Sequence, residues 1–406
     1  MSITELYKIY LENPVICTDS RSIVKDSIFF ALKGENFNGN KYAKKAILDG
    51  CKYAIIDDIK YKCNKCIIVT DVKKTLQNLA KIHRQKITVP IIGITGSNGK
   101  TTTKELVHSV LKTKYNCYYT KGNLNNQIGL PLSILEINKK HEIVVLEMGA
   151  NQIGEIKNLC EIAKPNTGII TNIGKAHLSG FGNLNGVIKA KTELYKFINK
   201  NDGIVFINSS DKILNENCKS KSKITYGEKK NSNCKIIVKE NSPFVSINYE
   251  KIDIYSKLVG SFQIDNIAAA ICIGNFYNIT LLDIKKGIEN YIPKNNRTEI
   301  IKTRNNKIIL DAYNANPSSM NSMINSFQKL NEYNKLCIIG EMRELGHFSK
   351  EEHEKVINKL QKIEIETIYV GKEFCNIINK ESYLNTKKLI ENLTKYNLKN
   401  RTILIK

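Results

Sequence analysis

The sequence predicts an α/β protein of three domains built on mostly parallel sheets. Three observations predict it. A chain of 406 residues is long for one core and suits two or three domains. From about residue 87 to 293, strand-length apolar runs alternate with helical stretches, which implies a mostly parallel sheet with helices on both faces. A second, shorter alternation begins near Pro293.

The elements follow in order. Residues 1–86 mix short strands (Ser27–Leu32, Tyr53–Ile56, Cys66–Val69) with helices (Tyr42–Asp49, Val72–Gln85), the pattern of a small α/β N-terminal domain. Residues 87–293 form the central domain, with strands at Val89–Ile94, Ile143–Glu147, Gly168–Thr171 and Ile204–Asn208. Residues 294–406 carry strands at Ile308–Leu310, Leu336–Ile339, Thr367–Val370 and Thr402–Ile405 with helices between them, a smaller doubly wound, Rossmann-like domain. No internal repeat and no long linker interrupts the series.

The most informative stretch is Gly93-Ile94-Thr95-Gly96-Ser97-Asn98-Gly99-Lys100-Thr101-Thr102. It follows the apolar run Val89–Ile94 and precedes a predicted helix, Thr103–Lys112. Strand, glycine-rich turn, Lys-Thr and helix make a phosphate cradle. Gly96 and Gly99 let backbone N–H groups approach a polyphosphate, and the helix N-terminus adds partial positive charge. Lys100 reaches the outer phosphates, and the Thr101 hydroxyl can ligate Mg2+. The first glycine stands at position 93, where the general P-loop spacing would put it at position 94.

Two further strands end in chemistry-bearing residues. Leu146-Glu147-Met148-Gly149-Ala150-Asn151 puts a carboxylate at a strand end, where a second Mg2+ ligand belongs in a parallel sheet. The bland reading is a solvated strand-end carboxylate. After Gly168–Thr171 comes Asn172 to Gly182, with His177 in a glycine-flanked loop, which points to a metal or substrate role over a structural one. Lys191 lies on a helix, and a charged helix face is ordinarily just solvated.

Composition bounds the rest. Hydrophobic and charged fractions of 42% and 25% are those of a soluble globular protein. Met1–Tyr10 shows no basic region followed by an apolar core, and no apolar run approaches the roughly 20 residues of a membrane span, so a cytoplasmic protein without membrane insertion is expected. The net charge of +23 would suit nucleic acid, but lysines are spread through the whole chain. The tract Lys219–Asn241 is Lys/Asn/Ser-rich without the aromatic interleaving of a single-strand platform. A composition bias of the kind A/T-rich codons give accounts for the charge, and no nucleic-acid partner is expected. Eleven scattered cysteines fit reduced thiols. Cys63-Asn64-Lys65-Cys66 is the one C-x-x-C and lacks the second ligand pair a zinc site wants.

The form G-x-T-G-x-x-G-K-T-T resembles the ATP loop of the Mur ligases and their folylpolyglutamate synthetase relatives, and the run from Gly93 through Leu194 resembles the Mur ligases closely. Motifs elsewhere resemble the branch of that family that adds D-alanyl-D-alanine. They are Thr18-Asp19-Ser20-Arg21 with Phe29 to Glu35, Thr120 to Gly129, Asp311-Ala312-Tyr313-Asn314-Ala315-Asn316-Pro317-Ser318-Ser319-Met320, and Gly340 to Gly346 with His353 beyond. The resemblance runs over essentially the whole chain in family order. It also departs in places. Asn38-Gly39-Asn40 replaces the usual Asp-Gly-His, Asn296-Arg297 the usual Gly-Arg, Gln263-Ile264-Asp265-Asn266 the usual Asn-x-x-Asn, and Gly340-Glu341-Met342 the usual Gly-Asp-Met. Family members continue past Leu404-Ile405-Lys406 with a Gly-Ser-Arg segment.

The resemblance implies an ATP-dependent amide ligase that joins D-Ala-D-Ala to UDP-MurNAc-tripeptide through an acyl phosphate. It implies a UDP-sugar domain at 1–86, an ATP domain at 87–293, and a third domain at 294–406 that closes over ATP and binds the dipeptide. Gly96, Ser97, Asn98, Gly99, Lys100, Thr101, Thr102, Asn266, Arg297 and Asp311 would hold the nucleotide, Asp311 on the ribose and Arg297 near the phosphates. Ser20, Arg21, Asn123, Asn125, Asn126, Asn314 and Asn316 would meet the other substrates. Lys100, Glu147, His177 and Lys191 would carry catalysis. Two Mg2+ ions are implied, one on Thr101 and Glu147, the other on His177 and a Lys191 carbamylated by CO2, since a carbamate ligates metal where an ammonium is repelled. A monomer is expected. The alternatives are another Mur-type or folylpolyglutamate synthetase-like acid–amino-acid ligase and a nucleic-acid-stimulated P-loop ATPase.

Overall fold

Isoleucine and valine runs make the sheets. Ile91–Thr95 and Ile143–Glu147 are buried at every position, as strands covered on both faces are. The computed structural model describes residues 1–240, 242–378 and 380–406, so Asn241, the last residue of the Lys/Asn/Ser-rich tract, lies outside the described residues. Three larger sheets follow one another along the chain. The first has four strands in the order Ile16–Cys17, Ile28–Phe30, Tyr53–Ile56, Cys66–Ile68, all parallel. The second has seven, in the order Cys234–Lys235, Lys223–Gly227, Ile204–Asn208, Thr167–Ile170, Ile91–Thr95, Ile143–Glu147, Cys117–Tyr119. The third has six, in the order Glu299–Lys302, Asn306–Leu310, Arg401–Ile405, Lys335–Gly340, Glu366–Val370, Ser382–Tyr383.

By their contacts the residues fall into two units. One holds Met1–Gly93, Tyr115–Ala150 and Gly154–Gly168, and the other Ile94–Lys114, Asn151–Ile153 and Ile169–Lys406. In the first unit, Phe29, Ala31, Ala43, Ala46, Ala54 and Ile56 form the core of the N-terminal sheet. Helix Val72–Gln85 begins on Asp71, whose carboxylate accepts the Lys74 N–H. Its last turn supplies two anchors. His83 donates from Nε2 to the Ile137 carbonyl at 2.8 Å, which leaves Nδ1 to accept the Tyr7 hydroxyl at 3.2 Å. Buried Arg84 donates to the carbonyls of Ile87, Ala163 and Lys164, ending helix Glu155–Ala163 on a cation. Asn40, standing where the family has histidine, is fully buried and exchanges two bonds with Asp57, so it is a structural anchor.

In the second unit, helix Lys100–Leu111 packs closely on helices Ile264–Phe276 and Leu281–Glu289. A Cβ at Gly274 would lie 2.6 Å from Val110 Cγ1, and one at Gly287 would lie 2.7 Å from Val110 Cα. Ser109 Oγ donates to the Gly287 carbonyl at 2.7 Å. In the six-stranded sheet only Glu299–Lys302 runs antiparallel to its neighbour; the other pairs are parallel. Leu336, Ile368, Leu389 and Ile403 form a cluster of its core.

The strands Tyr53–Ile56, Ile143–Glu147 and Ile204–Asn208 and the helix Val72–Gln85 lie where the sequence predicts them. Others shift. The strand expected at Val89–Ile94 runs Ile91–Thr95, because Pro90 has no N–H to give a ladder. The helix expected from Thr103 starts at Lys100, because Gly99 at φ 78° caps it. The helix expected at Tyr42–Asp49 is a 3-10 turn, Gly39–Tyr42, followed by Ala43–Leu48. A three-stranded antiparallel sheet, Ile237–Glu240, Phe244–Tyr249 and Ile252–Val259, was not foreseen. Among the described residues no helix is long and apolar enough to cross a membrane.

His108, on the helix Lys100–Leu111, has its pKa lowered to about 4 by burial, with Lys112 and Lys104 adding to the effect. The unfolded chain therefore binds a proton between about pH 6.5 and 4 that the folded chain refuses, so this contribution to stability is full above 6.5 and is lost as pH falls toward 4. Urea midpoints measured from pH 7 to 4 should fall, and His108→Gln should flatten part of the fall. An identical pH slope in that variant would exclude His108 as a source.

Candidate active site

The buried strand Ile91–Thr95 delivers the glycine loop. Gly96 has φ 148°, and a Cβ there would sit 1.9 Å from the Thr171 hydroxyl. The loop is braced from the next strand's end. Ser97 N–H donates to the Asn172 carbonyl at 3.0 Å, and Asn98 N–H to Asn172 Oδ1 at 3.0 Å. Ser97 Oγ donates to the Gly174 carbonyl and accepts the Gly174 N–H at 2.9 Å. The hydroxyl of Thr171 and the amide of Asn172 both donate to the Asn98 carbonyl. Lys100 Nζ lies over the loop, donating to Gly96 O at 2.8 Å and Ser97 O at 3.1 Å. Thr101 and Thr102 open the helix and are buried.

His177 and Lys191 meet around one ring. Lys191 Nζ lies 5.3 Å from the Phe181 ring centroid, and the His177 ring stands edge-on to Phe181 at 6.3 Å. Lys191 is only 1% exposed, which corrects its reading as a solvated helix-face lysine: the helix Leu184–Lys191 ends there and turns it inward. His177 pairs with Glu344. Burial holds the His177 imidazole below its ordinary pKa, Lys100 and Lys191 push the same way, and Glu344 opposes them. The neutral ring is the form that ligates metal.

In the other unit, Glu147 is 2% exposed at the end of its strand, which removes the solvated reading. Asn125 Nδ2 donates to Glu147 Oε1 at 2.7 Å, and the Glu147 N–H donates to Thr120 Oγ1. Asn126 Oδ1 accepts the N–H groups of Ile128 and Gly129 in the turn that leads into helix Gly129–Leu135. Asn123 and Arg21 are exposed, Arg21 paired with Asp19 at 2.7 Å, and Ser20 is half-buried.

Of the residues beyond 290, Asn316 reaches the loop. Asn316 caps helix Pro317–Gln328 and donates from Nδ2 to Asn98 Oδ1 at 2.8 Å. This bond ties Asn316 directly to the phosphate loop. Lys175 N–H donates to Ser318 Oγ, and Lys175 Nζ pairs with Glu352 at 2.8 Å. Arg297 stacks on Tyr313, its guanidinium carbon 3.8 Å from the ring centroid. Asp311 pairs with Lys406 at 2.8 Å. Asn314 is exposed, and its carbonyl accepts from Lys406 Nζ. Asn266 is buried, with Oδ1 accepting from the Thr103 hydroxyl at 3.0 Å. His353 is fully buried and structural, accepting the Met342 N–H at Nε2.

Comparison with known proteins then places this geometry. The Mur ligase middle domain matches residues 94–274, and the Mur ligase glutamate ligase domain matches residues 296–400. A UDP-N-acetylmuramoyl-tripeptide–D-alanyl-D-alanine ligase of Bacillus subtilis is 33% identical over 370 residues, covering 87% of this chain and 80% of that protein. The chain belongs to the Mur ligase family. A ligase of the same name from Buchnera aphidicola is 34% identical over 96% of this chain and 88% of its own. Among solved structures, MurF from Acinetobacter baumannii superposes with a TM-score of 0.85 at 27% identity, covering 96% of this chain and 89% of that one. MurF from Thermotoga maritima in complex with ADP does so at 0.84 and 26%, covering 97% and 94%. The Mur ligase fold, α/β in three domains, is thereby established, as the alternating strands and helices predict.

Several residues bonded to these side chains were not singled out from sequence: Thr171 and Asn172, Glu344 and Lys406. Thr171-Asn172 carried a usable signal, a polar pair at the end of an apolar strand. Among the described residues no cluster of three or more His, Cys, Asp or Glu is placed to hold a metal. Cys63 and Cys66 bring their sulfurs within 2.9 Å, and burial, with Cys66 beside it, raises the Cys63 thiol to about 11.

Gly96 and Gly154 separate strain from clash. Both have positive φ, but a Cβ at Gly154 meets nothing within 4 Å. Gly154→Ala should cost about 1 kcal/mol of stability from backbone strain alone. Gly96→Ala must also displace Thr171, so its loss should be larger and ADP binding should fail. Equal melting temperatures and intact ADP binding in both variants would overturn this account of the loop.

Proposed function

We propose that this chain joins D-alanyl-D-alanine to UDP-N-acetylmuramoyl-tripeptide at the expense of ATP, a step in making peptidoglycan precursors. The observation that carries this reading is similarity to ligases of that name over 80–88% of their length, through the N-terminal and third-domain segments as well as the ATP loop.

The chemistry follows from the weakness of a carboxylate as an electrophile. The tripeptide's terminal carboxylate attacks the γ-phosphorus of ATP, the bond to the β-phosphate oxygen breaks, and ADP leaves. The dipeptide amine then attacks the acyl phosphate carbon, inorganic phosphate departs with its bonding electrons, and the amine loses a proton. Transfer of this kind needs charge neutralisation and positioning more than covalent help. Lys100 supplies positive charge by exchanging its loop carbonyls for phosphate. The backbone N–H groups of Gly96 to Thr102 cradle the polyphosphate. Asn266, Arg297 and Asp311 take the nucleoside end. Ser20, Arg21, Asn123, Asn125 and Asn126 take the UDP-sugar peptide, and Asn316 lies near the incoming substrate. Asn314 lies toward the incoming dipeptide.

The donors fit Mg2+, which when bound would neutralise phosphate charge. Thr101 and the buried Glu147 would each offer an oxygen to Mg2+, and neutral His177 with a carbamylated Lys191 would hold a further ion. The support is Lys191's burial: an ammonium there is costly, and a carbamate turns the same stem into an oxygen ligand. We divide the chain functionally at 1–86, 87–293 and 294–406, the third part closing over the nucleotide to keep water from the acyl phosphate. The enzyme so read works in the cytoplasm as a monomer and takes no nucleic acid.

Phosphate release with UDP-MurNAc-tripeptide should require D-Ala-D-Ala for turnover, and nucleic acid should not stimulate it; release that ignores the dipeptide would refute the ligase. Lys100→Ala should lower ligation on the order of 100-fold with the melting temperature kept; near-normal turnover would sink the cradle. Lys191→Ala should lose activity and regain part of it with acetate, and 13CO2 should give a carbamate carbon resonance in the parent protein only. Absence of that resonance, with full activity of Lys191→Ala, would reject the carbamate.

A further inference from the structure

We propose that Thr298 is a positioning residue for the nucleotide, carrying a one-way hydrogen-bond chain from the phosphate-loop helix to Asp311. The inference rests on reading Asp311 as a nucleotide contact.

The chain can be followed atom by atom. Thr103 Oγ1 donates to Asn266 Oδ1 at 3.0 Å, and Asn266 Nδ2 donates to Gln263 Oε1 at 2.7 Å. Gln263 Nε2 donates to Thr298 Oγ1 at 3.4 Å, and Thr298 Oγ1 donates to Asp311 Oδ1 at 3.4 Å. The Thr298 N–H reaches the same carboxylate oxygen at 3.2 Å. Each carboxamide accepts with its oxygen from the loop side and donates with its nitrogen toward Asp311. All donors therefore point one way, and the series ends on an anion, the strongest acceptor available. Lys406 Nζ holds the other oxygen, Asp311 Oδ2, at 2.8 Å. Thr103, Asn266, Gln263 and Thr298 are all at most 5% exposed, so water does not replace a missing member.

The backbone supplies a second observation. Asn295, Asn296 and Thr298 have φ of 60°, 57° and 57°. Asparagine tolerates that region, but a β-branched residue there is strained. A glycine would fit Thr298's backbone without strain and could not close the chain. Gln263 is consistent with this, being one methylene longer than the asparagine the family carries there, and its amide spans from Asn266 to Thr298. Asn266 itself lies on the loop: a Cβ at Gly99 would be 2.6 Å from its Oδ1. The chain thus fixes the separation between the phosphate cradle and Asp311, which a bound nucleotide must span.

The test is calorimetric titration of ATP into the full-length chain, with melting temperatures and steady-state ligation alongside. Thr298→Val should weaken ATP binding about 5-fold, the worth of one hydrogen bond, and raise KM for ATP without moving KM for D-Ala-D-Ala. Thr298→Ser should restore ATP affinity to near that of the parent. Gln263→Met breaks the chain one link earlier and should give the same loss, which keeps the test open if Thr298→Val does not fold. Asp311→Ala should weaken ATP binding, and adding Thr298→Val to it should cost nothing more. If Asp311→Ala binds ATP as the parent does, the reading of Asp311 fails and takes the relay with it. If Asp311→Ala is weakened while Thr298→Val and Gln263→Met bind normally, or if the double variant loses affinity additively, Asp311 stands and the relay is overturned. A fall in melting temperature without loss of ATP affinity would likewise reduce Thr298 to a structural link.

Discussion

The nucleotide end of this molecule depends on the contact between the Asn266 carboxamide and the backbone of Gly99. Gly99 takes φ 78° and caps the helix Lys100–Leu111, which a side chain there would prevent by meeting Asn266 at 2.6 Å. Asn266 reaches that place only because its helix packs so closely on the loop helix, and two glycines, Gly274 and Gly287, allow the approach to Val110. Helix spacing therefore sets the carboxamide, the carboxamide sets the turn, and the turn aims Lys100 and Thr101. Mutations that widen the helix pair would act on phosphate binding from well below the site.

A second constraint is electrostatic. The second unit buries three lysines almost completely: Lys104, Lys191 and Lys406. A buried ammonium needs compensation. Lys406 has Asp311, and Lys104 lies 4.0 Å from Glu105, whose other oxygen accepts the Tyr291 hydroxyl. His177 answers the same field by staying neutral beside Glu344.

Fold and site were legible to different depths. Apolar runs with clear ends read correctly, Ile143–Glu147 and Val72–Gln85 among them, because burial on both faces and an Asp71 cap leave plain marks. Helix Ile3–Glu12 was not read, although Ser2 and Glu5 form a capping box whose spacing was visible. The antiparallel sheet of Ile237–Glu240, Phe244–Tyr249 and Ile252–Val259 hid because its burial does not follow residue polarity: Ile237, Phe244 and Tyr255 are exposed while Ser246 and Ser256 are buried. The phosphate loop was legible because its chemistry is local in sequence. The burial of Lys191 and the bond from Asn316 to Asn98 were not, since each is decided by packing between segments far apart in the chain.

The close-approach glycines bear on how this sequence can drift. Its wealth of lysine, asparagine and isoleucine is what A- and T-rich codons encode, whereas every glycine codon begins with two G bases. Mutational pressure of that kind works against glycine at each generation, and a first- or second-position change always installs a side chain or a stop. At Gly96, Gly99, Gly129, Gly180 and Gly287 that side chain would start within 3 Å of a neighbouring atom. At those positions the fold opposes the drift of base composition, because the first two bases of the codon cannot change without a clash.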